Sequence, residues 1–339
     1  MLYAGLEIAS RELVVCMKGT WSRFSNDRSG HRKLLHYLTK RGEVRVCLEA
    51  TGNYHLDVSL ALHSHPRVQL QVLNPWVSRR FAEARLQRAK TDRVDAAALA
   101  DYAERMPHQE WNPPRVAYLS LRAITRRMLQ LADRKSSEGS RLHAICASEA
   151  LPVAVVESVR EDLAHLDAQL ATLQVQARDL VRSDEVLEQL FELLVDIPGI
   201  AERSALYLLG ELAPIAQDMS ARQLVAHAGL DPRPIESGTS VHKPRQISKR
   251  GNARLRHILF MTALVASRHD LHFSGFYAAL LSRQKSKRAA LVAVMRKQLH
   301  AICGIWRTKT RYDGARLFPR LHPTLKPIGD LVEVSTSSL

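Results

Sequence analysis

The chain has 339 residues, enough for two or three domains of ordinary size, and 46% of them are hydrophobic, which excludes wholesale disorder. Its formal net charge of +15 points to a polyanionic partner, with nucleic acid ahead of an anionic membrane surface. No apolar run approaches the roughly 18 residues of a membrane span, MLYAGLEIAS shows no secretory signal pattern, and the four cysteines (Cys16, Cys47, Cys146, Cys303) form no CxxC pair. The expectation is a cytoplasmic, nucleoid-associated bacterial protein without disulfides or a zinc site.

Residues 1–105 alternate between strand and helix patterns. YAGLEIAS and ELVVCMKG are short β-type runs separated by Ser10–Arg11, and TWSRFSN reads as a third strand. HRKLLHYLTKRG is helical and stops at Gly42; EVRVCLEATG is a strand, YHLDVSLALHSH a helix, and VQLQVLNP a strand closed by Asn74–Pro75. One helical stretch from Trp76 to Met106 follows. The order strand, strand, strand, helix, strand, helix, strand, helix fits an α/β RNase H-like domain, a mixed sheet with helices on its faces.

Pro107, Pro113 and Pro114 mark MPHQEWNPP as a linker. A long helical region then spans about 115–196. Within it Leu163, Leu166, Leu170, Leu173, Ala177 and Leu180 recur at spacings of 3 and 4, an a/d seam that serves either an ordinary bundle helix or an intermolecular coiled coil. Pro152 separates this helix from the one before it, giving a helical hairpin. DIPGI (196–200) opens a further unit that is mainly helical: PGIAERSALYLLGEL, SARQLVAHAGLDP, ARLRHILFMTALVASRH, GFYAALLSRQ and KRAALVAVMRKQLHAICGIWR, with a loosely ordered tail past Pro319. Between Lys243 and Arg311 stand sixteen Lys or Arg and one acid, Asp270, so this segment's net charge, 16 − 1 = +15, equals that of the whole chain. So lopsided a block tracks phosphates.

Four acids raise a separate question. Glu7 sits in YAGLEIA, a run otherwise non-polar, and Glu49 ends the fourth strand. A carboxylate in a buried strand is costly unless paired, hydrogen-bonded or bound to metal. Asp92 and Asp95, three residues apart, share one helix face. In an RNase H-like sheet the first and fourth strands are neighbours and the last helix crosses their ends, so the four acids converge. Mg²⁺ or Mn²⁺, which prefer oxygen ligands, would supply the counter-charge, and two such ions would clamp a phosphodiester. Each acid taken alone also fits a surface residue, salt-bridged in the case of the aspartates to Arg88, Lys90 or Arg93. Further on, RPIESGTSVHKPRQISKRGN places Ser237 in a flexible loop leading into the basic block. His242, Lys243, Arg245, Lys249, Arg250 and, just beyond, Arg254 would meet phosphate there. Chemistry alone does not separate Ser237 from Thr239 or Ser240 as a nucleophile, or from a loop that only contacts phosphate.

GLEIAS, CLEATGNY, KTDRVDAAALA, DIPGI…LLGEL, HAGLDPRPIESGTS and ISKRGNARLRHILFM follow one another, over roughly 1–315, as they do in the IS110-family transposases and the related Piv-type DNA invertases. The chain resembles that family. The resemblance implies a RuvC-like DEDD catalytic domain (1–106), a helical coiled-coil linker (107–190) and a mainly α C-terminal transposase domain with a serine nucleophile and basic nucleic-acid-binding helices (191–320), before a tail (321–339). The family's glutamate falls on Glu49, its two late aspartates on Asp92 and Asp95, and its serine on Ser237. Its first aspartate falls on Glu7, where this chain departs from the pattern by one methylene. Lys90 and Arg93 then point to nearby nucleic acid. The implied activity is site-specific recombination of DNA by a homo-oligomer, dimer or tetramer, with Mg²⁺ or Mn²⁺ and guided by a non-coding bridge RNA. PGI resembles part of a helix-hairpin-helix element, whose amides would hold a phosphate. The rival readings are a metal-dependent junction-resolving nuclease that uses water, and an inactive nucleic-acid-binding remnant crippled at Glu7.

Overall fold

A computed structural model describes residues 1–87, 89, 91–147, 152–215, 219–237 and 241–319, with the backbone alone for 234–237 and 241–245. The chain divides into two units, Met1–Pro113 and Pro114–Leu339.

The first unit is a five-stranded mixed sheet. Strands β1 (Leu2–Ile8), β2 (Glu12–Met17) and β3 (Thr20–Ser25) form an antiparallel meander. Its second turn is Lys18–Gly19, both at positive φ (53° and 70°), as a two-residue turn between twisted strands requires. Helix α1 (Arg28–Thr39), strand β4 (Val44–Glu49), helix α2 (Leu56–His63) and strand β5 (Val68–Leu73) follow, and the sheet order is β3-β2-β1-β4-β5, with β4 parallel to both of its neighbours. Side chains alternate across the sheet. Leu6, Val15, Val46, Leu48 and Leu70 meet Leu34, Leu38, Val58 and Leu62 on one face, in a closed apolar core. Cys47 and Leu73 meet Leu99, Tyr102 and Ala103 on the other, and burial there pushes the Cys47 thiol up to about 12, so it packs as a neutral apolar group.

The stretch from Trp76 to Met106 is two helices, α3 (Pro75–Ala84) and α4 (Asp92–Arg105). The interruption has local causes. Leu86 takes a left-handed φ of 56°, and Thr91 starts the second helix as its N-cap, its hydroxyl accepting from Val94 N–H at 3.3 Å. Residues 107–113, linker-like in composition, run along the edge of the sheet: Trp111 N–H donates to the Leu70 carbonyl at 2.8 Å, and Leu70 N–H to Glu110 Oε1 at 3.2 Å.

The second unit is mainly helical. Two 30-residue helices, α5 (Val116–Ile145) and α6 (Val153–Arg182), form a hairpin, with Pro152 as the N-cap of α6. Leu166, Leu170 and Ala177 of the seam are buried, and Leu173 and Leu180 pack partly buried against the same core. Five of the six seam residues are thus used within the chain, the bundle-helix alternative. Helices α7 (Glu185–Val195), α8 (Glu202–Leu212) and α9 (Ala221–His227) continue the bundle. The segment expected as a flexible loop is instead an antiparallel ribbon of β6 (Pro232–Ser237) and β7 (Val241–Ile247). Helices α10 (Ala253–His269), α11 (Leu271–Ser282), α12 (Lys287–Thr308) and the single turn α13 (Gly314–Leu317) complete the unit. Residues 320–339, the expected loose tail, lie outside the described residues. No helix among the described residues is long and apolar enough to cross a membrane.

Candidate active site

Glu7 and Glu49 come together because β1 and β4 are parallel neighbours in register. Leu6 pairs with Leu48, so the next residues lie at the same level, at the C-terminal ends of both strands. In open α/β sheets this is the edge at which ligands bind. Both glutamates share their sheet face with Gly5 and Cys47, the face covered by α4. The approach of α4 is close: a methyl group placed on Gly5 would fall 2.0 Å from the Ala96 carbonyl oxygen and 2.2 Å from Ala100 N. Only glycine opposite this alanine-rich helix permits such packing.

Glu7, Glu49 and Asp95 line one cavity of about 540 Å³, roofed by α3 and α4. All three are half-buried. Glu49 Oε2 accepts from Ser78 Oγ at 2.5 Å, and Asp95 Oδ1 accepts from Gln87 Nε2 at 3.1 Å. Asn74 sets the position of Ser78 by capping α3, its Oδ1 accepting from Trp76 N–H at 2.9 Å. Asp92, the first residue of α4, is exposed and does not line this cavity; with Asp95 it places negative charge at the helix N-terminus. Four acids are expected at one point from the sequence, and three of them meet in one cavity. Among the described residues, no three His, Cys, Asp or Glu side chains stand close enough to hold an ion in this arrangement. The donors are nonetheless all carboxylate oxygens around an open space, which suits a hard divalent cation and no soft one.

Ser237 ends β6, its backbone paired with Val241 of β7. Its side chain and those of His242, Lys243 and Arg245 lie outside the described residues, as do Lys90 and residues 238–240 entire. The base of the ribbon is tightly tied. Ser248 N–H donates to the Asp231 carbonyl (2.9 Å), Lys249 N–H to that of Gly229 (3.0 Å), and Asn252 N–H to that of His227 (2.8 Å). Ser248 Oγ adds a bond of 2.5 Å to Asp231 Oδ1. HAGLDP and ISKRGN, far apart in sequence, are therefore one local structure. From it Lys249, Arg250 and Arg254 project exposed around the start of α10, and Arg93 is exposed in the first turn of α4.

Beneath this base lies a charged group that the motifs do not single out. Glu211 is 3% exposed. It accepts a two-pronged bond from Arg126 (2.6 and 2.9 Å) and one from Asn252 Nδ2 (2.6 Å). The sequence signal is an acid inside the apolar run YLLGELA, the same signal carried by Glu7. The PGI turn is likewise built into the bundle. Gln298 Nε2 donates to the Pro198 carbonyl at 3.2 Å, and a methyl on Gly199 would fall 2.3 Å from the Thr262 carbonyl oxygen.

A family model described as Transposase, of the IS110 DEDD type, matches residues 5–148, and the model of the Transposase IS116/IS110/IS902 family matches residues 191–278. The chain belongs to the IS110 family of transposases. It is a DNA recombinase of the transposase class and acts on DNA; the DEDD transposases, whose model it matches, generally use divalent metal ions. Two relatives named pilin gene-inverting protein, from Moraxella bovis and Moraxella lacunata, are each 28% identical over 323 residues, 92% of this chain and 97% of theirs. An uncharacterized protein of insertion element IS110 from Streptomyces coelicolor is 26% identical over 159 residues, 47% of this chain and 38% of that protein. The first transposase model spans Glu7, Glu49, Asp92 and Asp95, and the second spans Ser237 and the ribbon.

Proposed function

We propose that this transposase excises and inserts, or inverts, a DNA element through a serine nucleophile assisted by a RuvC-like carboxylate site. The observation that carries the reading is the cavity lined by Glu7, Glu49 and Asp95 at the C-terminal ends of two adjacent parallel strands. Glu7, Glu49 and Asp95 would hold Mg²⁺ or Mn²⁺, while Asp92, the fourth acid of the sequence pattern, would add negative charge from the turn that begins α4. Such an ion, when bound, supplies positive charge against the scissile phosphate. Ser78 and Gln87 orient two of the carboxylates, and α3 and α4 close the site from above.

Ser237 Oγ attacks the phosphorus of the scissile phosphodiester. A P–O bond to serine forms, the P–O bond to one strand end breaks, and the serine proton passes to that departing oxygen. The hydroxyl end of another strand then attacks the phosphoserine and releases Ser237. Each transfer exchanges one phosphodiester for another, so no high-energy cofactor is consumed. His242, Lys243, Arg245, Lys249, Arg250 and Arg254 neutralise the phosphates near the serine, while Lys90 and Arg93 do so near the acids. The serine belongs to the second unit and the acids to the first. This supports a homo-oligomer, dimer or tetramer, in which one subunit's serine serves another's acids.

On this reading the chain divides into 1–106 catalytic, 107–190 a helical linker whose two long helices pair with each other as an intramolecular coiled-coil hairpin, 191–320 the serine-bearing domain and 321–339 a tail. A structured non-coding RNA guides the choice of DNA by base pairing, and the +15 charge supports a second polyanion beside the DNA. The setting is the bacterial cytoplasm, at the nucleoid.

The test is recombination between element ends and target DNA by Ser237→Ala and Ser237→Cys, with the flanking non-coding RNA added. Ser237→Ala is expected to bind DNA normally, form no denaturant-stable protein–DNA adduct and transfer no strand. Undiminished strand transfer by Ser237→Ala would replace the serine mechanism by hydrolysis with water, as in a junction-resolving nuclease.

A further inference from the structure

Two half-exposed tryptophans are attached to the helices that roof the acid cavity, one within α3 and one hydrogen-bonded to α4 from β3. Trp76, 49% exposed, is the second residue of α3, between Pro75 and Ser78, which both line the cavity. Trp21 of β3 is 43% exposed, and its Nε1 donates to the Arg93 carbonyl, in the first turn of α4, at 3.1 Å. Neither side chain is loosely presented. Trp76 starts a capped helix, and Trp21 is tied to the helix that carries Asp95.

Cations accompany both. The Arg80 guanidinium lies 5.5 Å from the centroid of the Trp76 ring, a cation–π pair. Arg79 and Arg80 both pair with Glu83, at 3.0 and 2.6 Å, so two guanidiniums share one carboxylate and a positive charge is left over. Arg93 adds an exposed charge beside Trp21. Exposed aromatic rings interleaved with arginine are the chemistry of single-strand binding: the cations follow the backbone while the rings stack on bases.

We infer that Trp76 and Trp21 form a stacking site for unpaired nucleobases next to the scissile phosphate. A base inside a duplex has both faces covered by its neighbours, so a ring stacks on a base most readily where the strand is unpaired and a face is open. The acid cavity therefore works on strand already opened. The inference rests on the cavity being the cutting site, and it deepens that reading by naming the state of its substrate.

The experiment compares binding of the full-length protein, by fluorescence anisotropy under conditions without strand transfer, to two single strands of about ten nucleotides. One carries bases and the other is an abasic strand of equal charge; deoxyribose and ribose versions separate DNA from RNA. The wild type is expected to prefer the base-bearing strand. Trp76→Ala and Trp21→Ala should each cut that preference about tenfold while leaving the abasic strand's affinity unchanged. Trp76→Phe, which keeps a ring and guards against a folding defect, should retain most of it. No preference in the wild type, or alanine variants that keep the preference or weaken both strands equally, overturns the proposal. Glu49→Gln separates it from the parent reading: if that variant transfers strands normally, the cavity is not the cutting site, whatever the tryptophans bind.

Discussion

The side-chain amide of Asn252 donates to the buried carboxylate of Glu211 at 2.6 Å. The same side chain caps α10 through Leu255 N–H at 3.1 Å, and its backbone N–H closes the ribbon base on His227. Asn252 thus joins the buried acid, the basic helix and the strand pair ending in Ser237. Asn252→Ser separates these duties, because serine caps a helix as well as asparagine but is too short to reach Glu211. Losing a hydrogen bond to a buried charge costs about 1.5–3 kcal/mol. The expected outcome is a lower thermal midpoint, with yield of the serine–DNA adduct falling more than DNA affinity. Unchanged melting would show that Arg126 alone satisfies Glu211.

Glu211 also predicts an acid-sensitive step in stability. Burial raises its pKa, but the hydrogen bonds from Arg126 and Asn252 and the charge of Arg126 outweigh burial and hold it below the ordinary 4.5. Its stabilisation is complete above that value and is lost as pH falls through the lower folded-state value. Glu211→Gln should therefore melt well below the wild type at neutral pH, with the gap narrowing on titration below about 4.5. A gap independent of pH would mean that the carboxylate's charge contributes nothing.

Glu7 and Glu211 mark what was legible. Each is an acid in an apolar run, and the sequence raises the same alarm at both. The alarm is literal at Glu211, which is buried and paired, whereas Glu7 opens onto a cavity at a strand end. Neighbouring β1 and β4 could be read from element order, because the parallel pairing follows from topology. The break between α3 and α4 had a signal in Thr91, a capping residue in the middle of a helical pattern. The ribbon was hidden by Pro232, Pro234 and Pro244, which argue against strands. A two-stranded ribbon has only edges, so a proline whose missing N–H would face outward costs no ladder bond. The leucine seam gave the right face of α6 but not its occupant, since periodicity reports which residues are covered and not by what.

Gly5→Ala tests the close approach of α4 to β1. The added methyl meets backbone at 2.0 and 2.2 Å, which cannot yield as a side chain would. The helix must shift, at a cost of about 1–3 kcal/mol, carrying Asp95 away from Glu7 and Glu49. Strand transfer should fall at temperatures where the variant remains folded by circular dichroism. Wild-type stability and rate together would show that α4 has slack.

The resemblance to the family sets its first aspartate against Glu7, one methylene longer. The cavity accommodates the longer side chain, so wild-type activity, its loss in Glu7→Gln and its retention in Glu7→Asp are expected in strand-transfer assays across Mg²⁺ and Mn²⁺ concentrations. A silent wild type revived by Glu7→Asp would identify a decayed element.

Asp92 and Asp95 make opposite predictions from one helix turn. Asp95 lines the cavity and is held by Gln87, while Asp92 stands exposed at the first position of α4. A carboxylate already at the site contributes charge and ligand oxygen directly; one outside it contributes charge at a distance, weakened by solvent. Asp95→Asn should abolish strand transfer at every Mg²⁺ concentration. Asp92→Asn should keep measurable activity and require at least about tenfold more Mg²⁺ to reach it, the size of effect expected for a group supporting the ligands. If Asp92→Asn is as inactive as Asp95→Asn under saturating Mg²⁺, both aspartates are ligands. The first turn of α4 must then swing toward Glu7 and Glu49 when the ion binds, with Thr91 and the bond from Trp21 to Arg93 as its hinge.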